Sequence, residues 1–190
     1  MSFLIFERFL ATVNNAGQKI MTTKLGAKHA IATYGPDLAH HEMHEGNVFS
    51  YAERSTMASG ADEYLIFTAP AATQKTAHFG VVVTGTGEFY YDLLVNTTDA
   101  VGALKTTVIN RNFVSSNTPN GKVYAVAALT GGALVESSSS GSGSKSGGSV
   151  GSPFELNLRN SEQLTLHVHS GAASNEVTKT FIWYESDEAF

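Results

Sequence analysis

The chain has 190 residues and a net charge of −5, with 12 Lys+Arg against 17 Asp+Glu. That balance argues against broad binding to nucleic acid or an anionic membrane, both of which need clustered basic charge. With 0 cysteines, a disulfide scaffold, a cysteine zinc site and a cysteine nucleophile are excluded, while an apolar share of 42 % supplies a core for one generous domain.

The chain opens with MSFLIFERFLATVNNAG. Phe6, Phe9, Leu10 and Val13 fall at i, i+3, i+4 and i+7, and Phe3 extends the stripe. This spacing predicts a short helix over 3–13, with Asn14, Asn15 and Gly17 as terminators. A secretory signal fits poorly, because no basic stretch precedes the apolar run and Glu7 and Arg8 interrupt it. Met21 is a second candidate start. The stripe is marginal by itself and needs a surface to hold it. Phe3, Phe6, Phe9, Leu10 and Val13 are therefore the candidate contact residues, facing either a partner or their own domain. Residues 21–47 are polar with few apolar anchors and predict an extended arm. The expected organisation is an N-terminal arm over 1–47 and a single β-sandwich domain over 48–190.

From Val48 the pattern changes to short apolar runs separated by turn residues. They are Val48–Arg54, Glu63–Thr68, Thr76–Thr84, Glu88–Val95, Leu104–Asn110, Lys122–Leu129, Ala133–Glu136, Leu164–His169 and Val177–Glu185. Many alternate with period two and are rich in β-branched and aromatic residues. Eight or nine such runs predict an all-β fold, an antiparallel sandwich, and no long helical period follows residue 20. Thr84-Gly85-Thr86-Gly87 predicts a tight hairpin, with glycines supplying positive φ. The run SSSSGSGSKSGGSVGS over 137–152 predicts one flexible surface loop between two strands.

Catalytic and ligand-binding patterns are weak. His41-Glu42-Met43-His44 is one residue short of the zincin spacing. His40 and His44 share a face if the segment is helical; His40, Glu42 and His44 share one if it is extended. His167 and His169 lie on one strand face, yet neither cluster has a full ligand set, so no metal is expected. Gly141-Ser142-Gly143-Ser144 lies in the Ser/Gly run, where no oxyanion hole is held rigid. No catalytic residue and no cofactor is expected, and the chain is read as a non-enzyme. Tyr90, Tyr91, Trp183 and Tyr184 are candidates for a sugar-binding groove, against the simpler reading of core or subunit interface.

The order of several short motifs adds a resemblance. His40-His41-Glu42-Met43-His44-Glu45-Gly46-Asn47-Val48-Phe49 leads into Glu63-Tyr64-Leu65-Ile66-Phe67-Thr68-Ala69-Pro70 and then Lys75-Thr76-Ala77-His78-Phe79. Gly85-Thr86-Gly87-Glu88, Asn110-Arg111-Asn112, Ser115-Ser116-Asn117-Thr118 and Leu158-Arg159-Asn160 follow, and Phe181-Ile182-Trp183-Tyr184-Glu185 closes the series. Over roughly 40–185 the chain resembles capsid decoration (head-stabilising, or cement) proteins of tailed bacteriophages. The resemblance implies a jelly-roll-like sandwich on the outer surface of the virion capsid. It implies attachment to the major capsid protein and self-association as a dimer or trimer, without nucleic acid or membrane. A glycan-binding head-fibre or tail adhesin module is the alternative. The family has no catalytic residues to carry over.

Overall fold

A computed structural model describes residues 19–25, 28–34, 38–71, 75–98, 102–128, 130–141, 148–151, 156–158 and 161–186. The predicted helix over 3–13, with Phe3, Phe6, Phe9, Leu10 and Val13, lies outside the described residues. The chain divides into two units, 1–41 and 42–190.

In the first unit, β1 (Lys19–Leu25) and β2 (Lys28–Tyr34) pair antiparallel from Lys19↔Tyr34 to Leu25↔Lys28. The expected extended arm is thus corrected: it holds a hairpin, followed by helix α1 (Leu38–Glu45). Thr22, Thr23, Ile31 and Thr33 favour paired strands, and pairing satisfies backbone groups that a lone extended segment leaves to water. The helix ends in a Schellman motif. Gly46 N donates to Met43 O at 3.1 Å and Asn47 N to Glu42 O at 2.8 Å, with Gly46 left-handed at φ +76°. The His-rich segment is therefore helical. Glu42 also accepts from Asn47 Nδ2 at 2.8 Å, and Glu185 N donates to Asn47 O at 3.0 Å, so the sandwich unit starts before Val48.

The second unit carries β3 (Val48–Met57), β4 (Asp62–Thr68), β5 (Thr76–Gly85), β6 (Phe89–Val95), β7 (Ile109–Asn110) and β8 (Lys122–Val126). It continues with β9 (Ala133–Ser140), β10 (Gly148–Gly151), β11 (Leu156–Leu158), β12 (Gln163–Ser170) and β13 (Asn175–Ser186). One sheet has the order β10-β5-β13-β3-β7, with β11 also on β5; the other has β8-β4-β12-β6-β9. The pairs β3·β13, β4·β12, β5·β10 and β6·β9 are antiparallel and nested, outermost strands with outermost. This is an antiparallel ribbon. Rolling it sets β13 beside β5 and β12 beside β6, which is the jelly-roll arrangement. The all-β, jelly-roll-like sandwich expected from the sequence is the fold.

Two local expectations are corrected. Gly85 and Gly87 do not make a hairpin, because β5 and β6 lie in opposite sheets. These glycines serve close approach: a Cβ would come 2.6 Å from the Phe89 ring at Gly85 and 2.7 Å from Ala172 Cβ at Gly87. Buried Asn175 holds the crossing, accepting from Gly87 N at 2.8 Å and donating to Glu88 O at 3.0 Å. The Ser/Gly run is not a single loop either. Ser137–Ser140 pair with Phe89–Asp92, and Gly148–Gly151 pair with Val82–Gly85. A strand needs backbone donors and acceptors, which serine and glycine have, and strongly patterned neighbours supply the register.

The core lies between the sheets. Phe49, Phe67, Phe79, Phe181 and Trp183 are buried together, with ring centroids 4.6 Å apart for Phe67–Phe79 and 5.0 Å for Phe67–Trp183. Offset and edge contacts at such distances add to the area that these rings bury.

Candidate interaction surface

Between β7 and β8 the chain makes a loop whose tip is apolar. Phe113 is 87 % exposed and Val114 94 %. Asparagines build this loop. Asn110 Nδ2 donates to Gly46 O at 2.8 Å, and Asn110 Oδ1 accepts from Asn112 N at 2.9 Å. Asn112 Oδ1 accepts from Val114 N at 3.3 Å, while its Nδ2 donates to His44 O at 3.0 Å. Ser115 N donates to Asn112 O at 3.0 Å, closing a turn around Phe113 and Val114. Asn117 Nδ2 donates to Glu45 O at 3.1 Å. These side chains replace backbone partners in the turns and tie the tip to the end of α1. Gly46 has a second role here, since a Cβ on it would sit 2.1 Å from Ser115 Oγ.

The far side of the loop is held by Glu185, which is buried. Its Oε1 accepts from Asn120 N at 2.9 Å, Gly121 N at 2.8 Å and Trp183 Nε1 at 3.1 Å, and its Oε2 accepts from Asn120 Nδ2 at 2.8 Å. A buried carboxylate persists only when satisfied in this way. A cavity of about 370 Å³ is lined by Asn47, Lys75, Thr118 and Asn120 together with the anchoring side chains of Asn117 and Glu185.

The apolar surface extends along the side of the sandwich. Leu104 bridges to Tyr124, and Ile109 pairs with Ser50, so residues 102–110 pass from the edge of β8 to the edge of β3. Leu104 and Ile109 are both exposed. Burying a phenylalanine such as Phe113 against a partner is worth roughly 1.5–3 kcal/mol, with little ordering cost where a loop is already fixed. Phe113 and Val114 fall between the Asn110-Arg111-Asn112 and Ser115-Ser116-Asn117-Thr118 motifs and are not among the contact residues expected from the sequence. The available signal was an apolar pair bracketed by turn-forming asparagines.

Two polar clusters lie elsewhere. On the outer face of the β4-β12-β6 sheet, Asp62 Oδ1 is 2.7 Å from His167 Nε2 and 2.8 Å from His169 Nδ1. The ring of Tyr64 stacks on His167 at 4.8 Å and that of Tyr90 on His169 at 4.6 Å. The His167 hydrogen bond, opposed by burial and assisted by His169, holds the Asp62 carboxyl below its ordinary value. His167 and His169 do share one face. Among the described residues, no group of three or more His, Cys, Asp or Glu side chains is arranged to hold a metal ion. The four aromatics of the expected groove are not brought together. Tyr91 and Trp183 point into the core, Tyr184 is buried against His78 at 4.4 Å, and Tyr90 faces outward. Strand alternation separates them.

Inside the sandwich, Lys179 is 1 % exposed. Its ammonium bonds the Glu63 carboxylate and reaches Glu53 Oε1 and Ser55 Oγ, each at 3.3 Å. Lys105 Nζ lies 2.5 Å from Glu53 Oε2, which Tyr51 also bonds. Burial works against the Glu53 charge, but the Lys105 and Tyr51 hydrogen bonds and the Lys179 charge outweigh it, pulling Glu53 down to about 2. Burial first, and the Glu53 carboxylate second, raise the Tyr51 hydroxyl. The cluster is charge-neutral and structural in character.

No protein family matches the chain, and no curated protein matches it. Among solved structures, the chain is similar to one in "Structure of infectious bursal disease virus Gt strain", at 15 % identity and a TM-score of 0.19, covering 88 % of this chain and 46 % of that one. It is also similar to one in "Crystal structure of infectious bursal disease virus VP2 subviral particle", at 13 % identity and a TM-score of 0.16, with 88 % and 46 % covered. The chain thus spans about half the length of these viral chains. The jelly-roll assignment rests on strand order.

Proposed function

We propose that the chain is a virion structural protein that decorates the outer surface of a phage capsid and stabilises contacts between major capsid protein subunits. The observation that carries this reading is the apolar tip, Phe113 and Val114, held in place on a jelly roll by asparagine and glutamate anchors. A preordered apolar projection suits protein–protein contact. A contact of modest strength suffices on a repeating lattice, where oligomers touching several subunits gain avidity. The resemblance of the motif order to capsid decoration proteins is what directs this reading to the phage head. The test is cosedimentation of the full-length chain with empty heads that lack it. Saturable binding at hundreds of copies per head is expected. Failure to bind heads, combined with binding to host-surface glycans, would overturn the proposal in favour of a fibre or tail adhesin.

A further inference from the structure

The loop that carries the tip ends on a reactive dipeptide. Asn120-Gly121 is the one Asn-Gly sequence in the chain. The side-chain amide of an asparagine is electrophilic at Cγ, and the backbone nitrogen of the next residue can close on it to form a cyclic imide, a succinimide. Glycine in second place has no side chain to hinder that nitrogen. The core imposes this glycine: a Cβ on Gly121 would lie 2.8 Å from Phe67 Cζ and 3.2 Å from Trp183 Nε1.

One carboxylate spans both ends of that reaction. Glu185 Oε1 accepts from Gly121 N, the attacking nitrogen, at 2.8 Å, and Oε2 accepts from Asn120 Nδ2, the leaving group, at 2.8 Å. Both are within reach of direct proton transfer. Glu185 is 1 % exposed and is fixed by Trp183 Nε1 at 3.1 Å and Asn120 N at 2.9 Å. Water fits in the cavity of about 370 Å³ that Asn120 and Glu185 both line.

We propose that Asn120 is a self-modifying site, deamidated through a succinimide with Glu185 carrying the proton. Glu185 Oε1 takes the proton of Gly121 N as that nitrogen bonds to Asn120 Cγ. The Glu185 carboxyl group returns a proton to Nδ2, the Cγ–Nδ2 bond breaks and ammonia leaves. Water then opens the imide at either carbonyl, which leaves aspartate or isoaspartate at position 120. Glu185 ends as it began, and water is the one co-reactant consumed. The product sets a new negative charge against buried Glu185 and removes the Nδ2 donor that Oε2 accepted from. Like charges out of water repel. The anchor on the far side of the loop is therefore lost in one irreversible conversion, whatever the tip binds.

The test incubates the full-length chain at neutral pH and follows Asn120 by peptide mass spectrometry, with the same chain unfolded in urea as reference. Conversion to aspartate and isoaspartate should run at least about tenfold faster in the folded chain. Glu185→Gln, checked for folding by circular dichroism, should slow conversion at least about tenfold. A purely structural Glu185 predicts the opposite, because losing the anchor loosens the loop and speeds conversion. Converted chain should melt below fresh chain, and Asn120→Asp should reproduce the drop. Conversion slower in the folded chain than in urea, or not slowed by Glu185→Gln, overturns the proposal; if that variant fails to fold, the urea comparison decides. Cleavage of the chain after Asn120 also overturns it, since the attacking atom is then Nδ2 and not the Gly121 nitrogen. Melting unchanged by full conversion overturns the loss of the anchor.

Discussion

Replacing Lys179 by methionine removes a cation that faces both Glu53 and Glu63 inside the sandwich, while keeping an unbranched side chain of similar length. Breaking a buried ion pair on one side costs roughly 3–5 kcal/mol, because the remaining charge loses its partner without regaining water. Glu53 and Glu63 are 27 % and 30 % exposed, and Glu53 keeps Lys105, so solvent and that second lysine absorb part of the loss. A cost of about 2–4 kcal/mol remains. For a domain of this size that lowers the melting temperature by about 4–16 °C, at roughly 2–4 °C per kcal/mol. The assay is thermal unfolding at neutral pH followed by circular dichroism. Adding Glu63→Gln to the variant removes the orphaned charge and should recover most of the loss. A drop under about 2 °C in the single variant, or no recovery in the double one, would refute an electrostatic role for the cluster.

Trp183→Ala should destabilise the fold by roughly 3–5 kcal/mol through lost transfer energy and a cavity among Phe49, Phe67 and Phe79, read from denaturant unfolding. Glu53 is depressed to about 2 from an ordinary 4.5, so its contribution is complete above pH 4.5 and is lost as pH falls through 2. The melting temperature should decline across that window, and Glu53→Gln should flatten the decline. Glu185→Gln turns an acceptor-only carboxylate into an amide facing the N–H groups of Asn120 and Gly121, and should lower stability by about 1–3 kcal/mol while speeding amide exchange at Asn120 and Gly121. A chain lacking residues 2–18 should unfold at the same temperature as the full chain, because the jelly roll is contained in 42–190. A fall of several degrees would show that the arm packs on its own domain.

Alternation was the informative signal. Phe79, Val81 and Val83 on β5, Phe89, Tyr91 and Leu93 on β6, and Phe181 and Trp183 on β13 are all buried, as their spacing requires of a half-buried strand. Composition and period two thus determined the all-β class, the position of most strands and much of the core. Signals of this kind are local: they report which side chains face an apolar layer, not which strand lies beside which. Only the tertiary structure decided that Ser137–Ser140 and Gly148–Gly151 are strands, because their place comes from the open edges of β6 and β5 and not from side chains of their own. The same holds for Lys179, which sequence alternation places inward without naming the carboxylates that neutralise it. It holds also for Phe113 and Val114, which become a presented surface only because asparagines and the end of α1, distant in sequence, fix the backbone beneath them. Burial is written in local spacing, whereas pairing, charge compensation and loop anchoring depend on residues brought together from far along the chain.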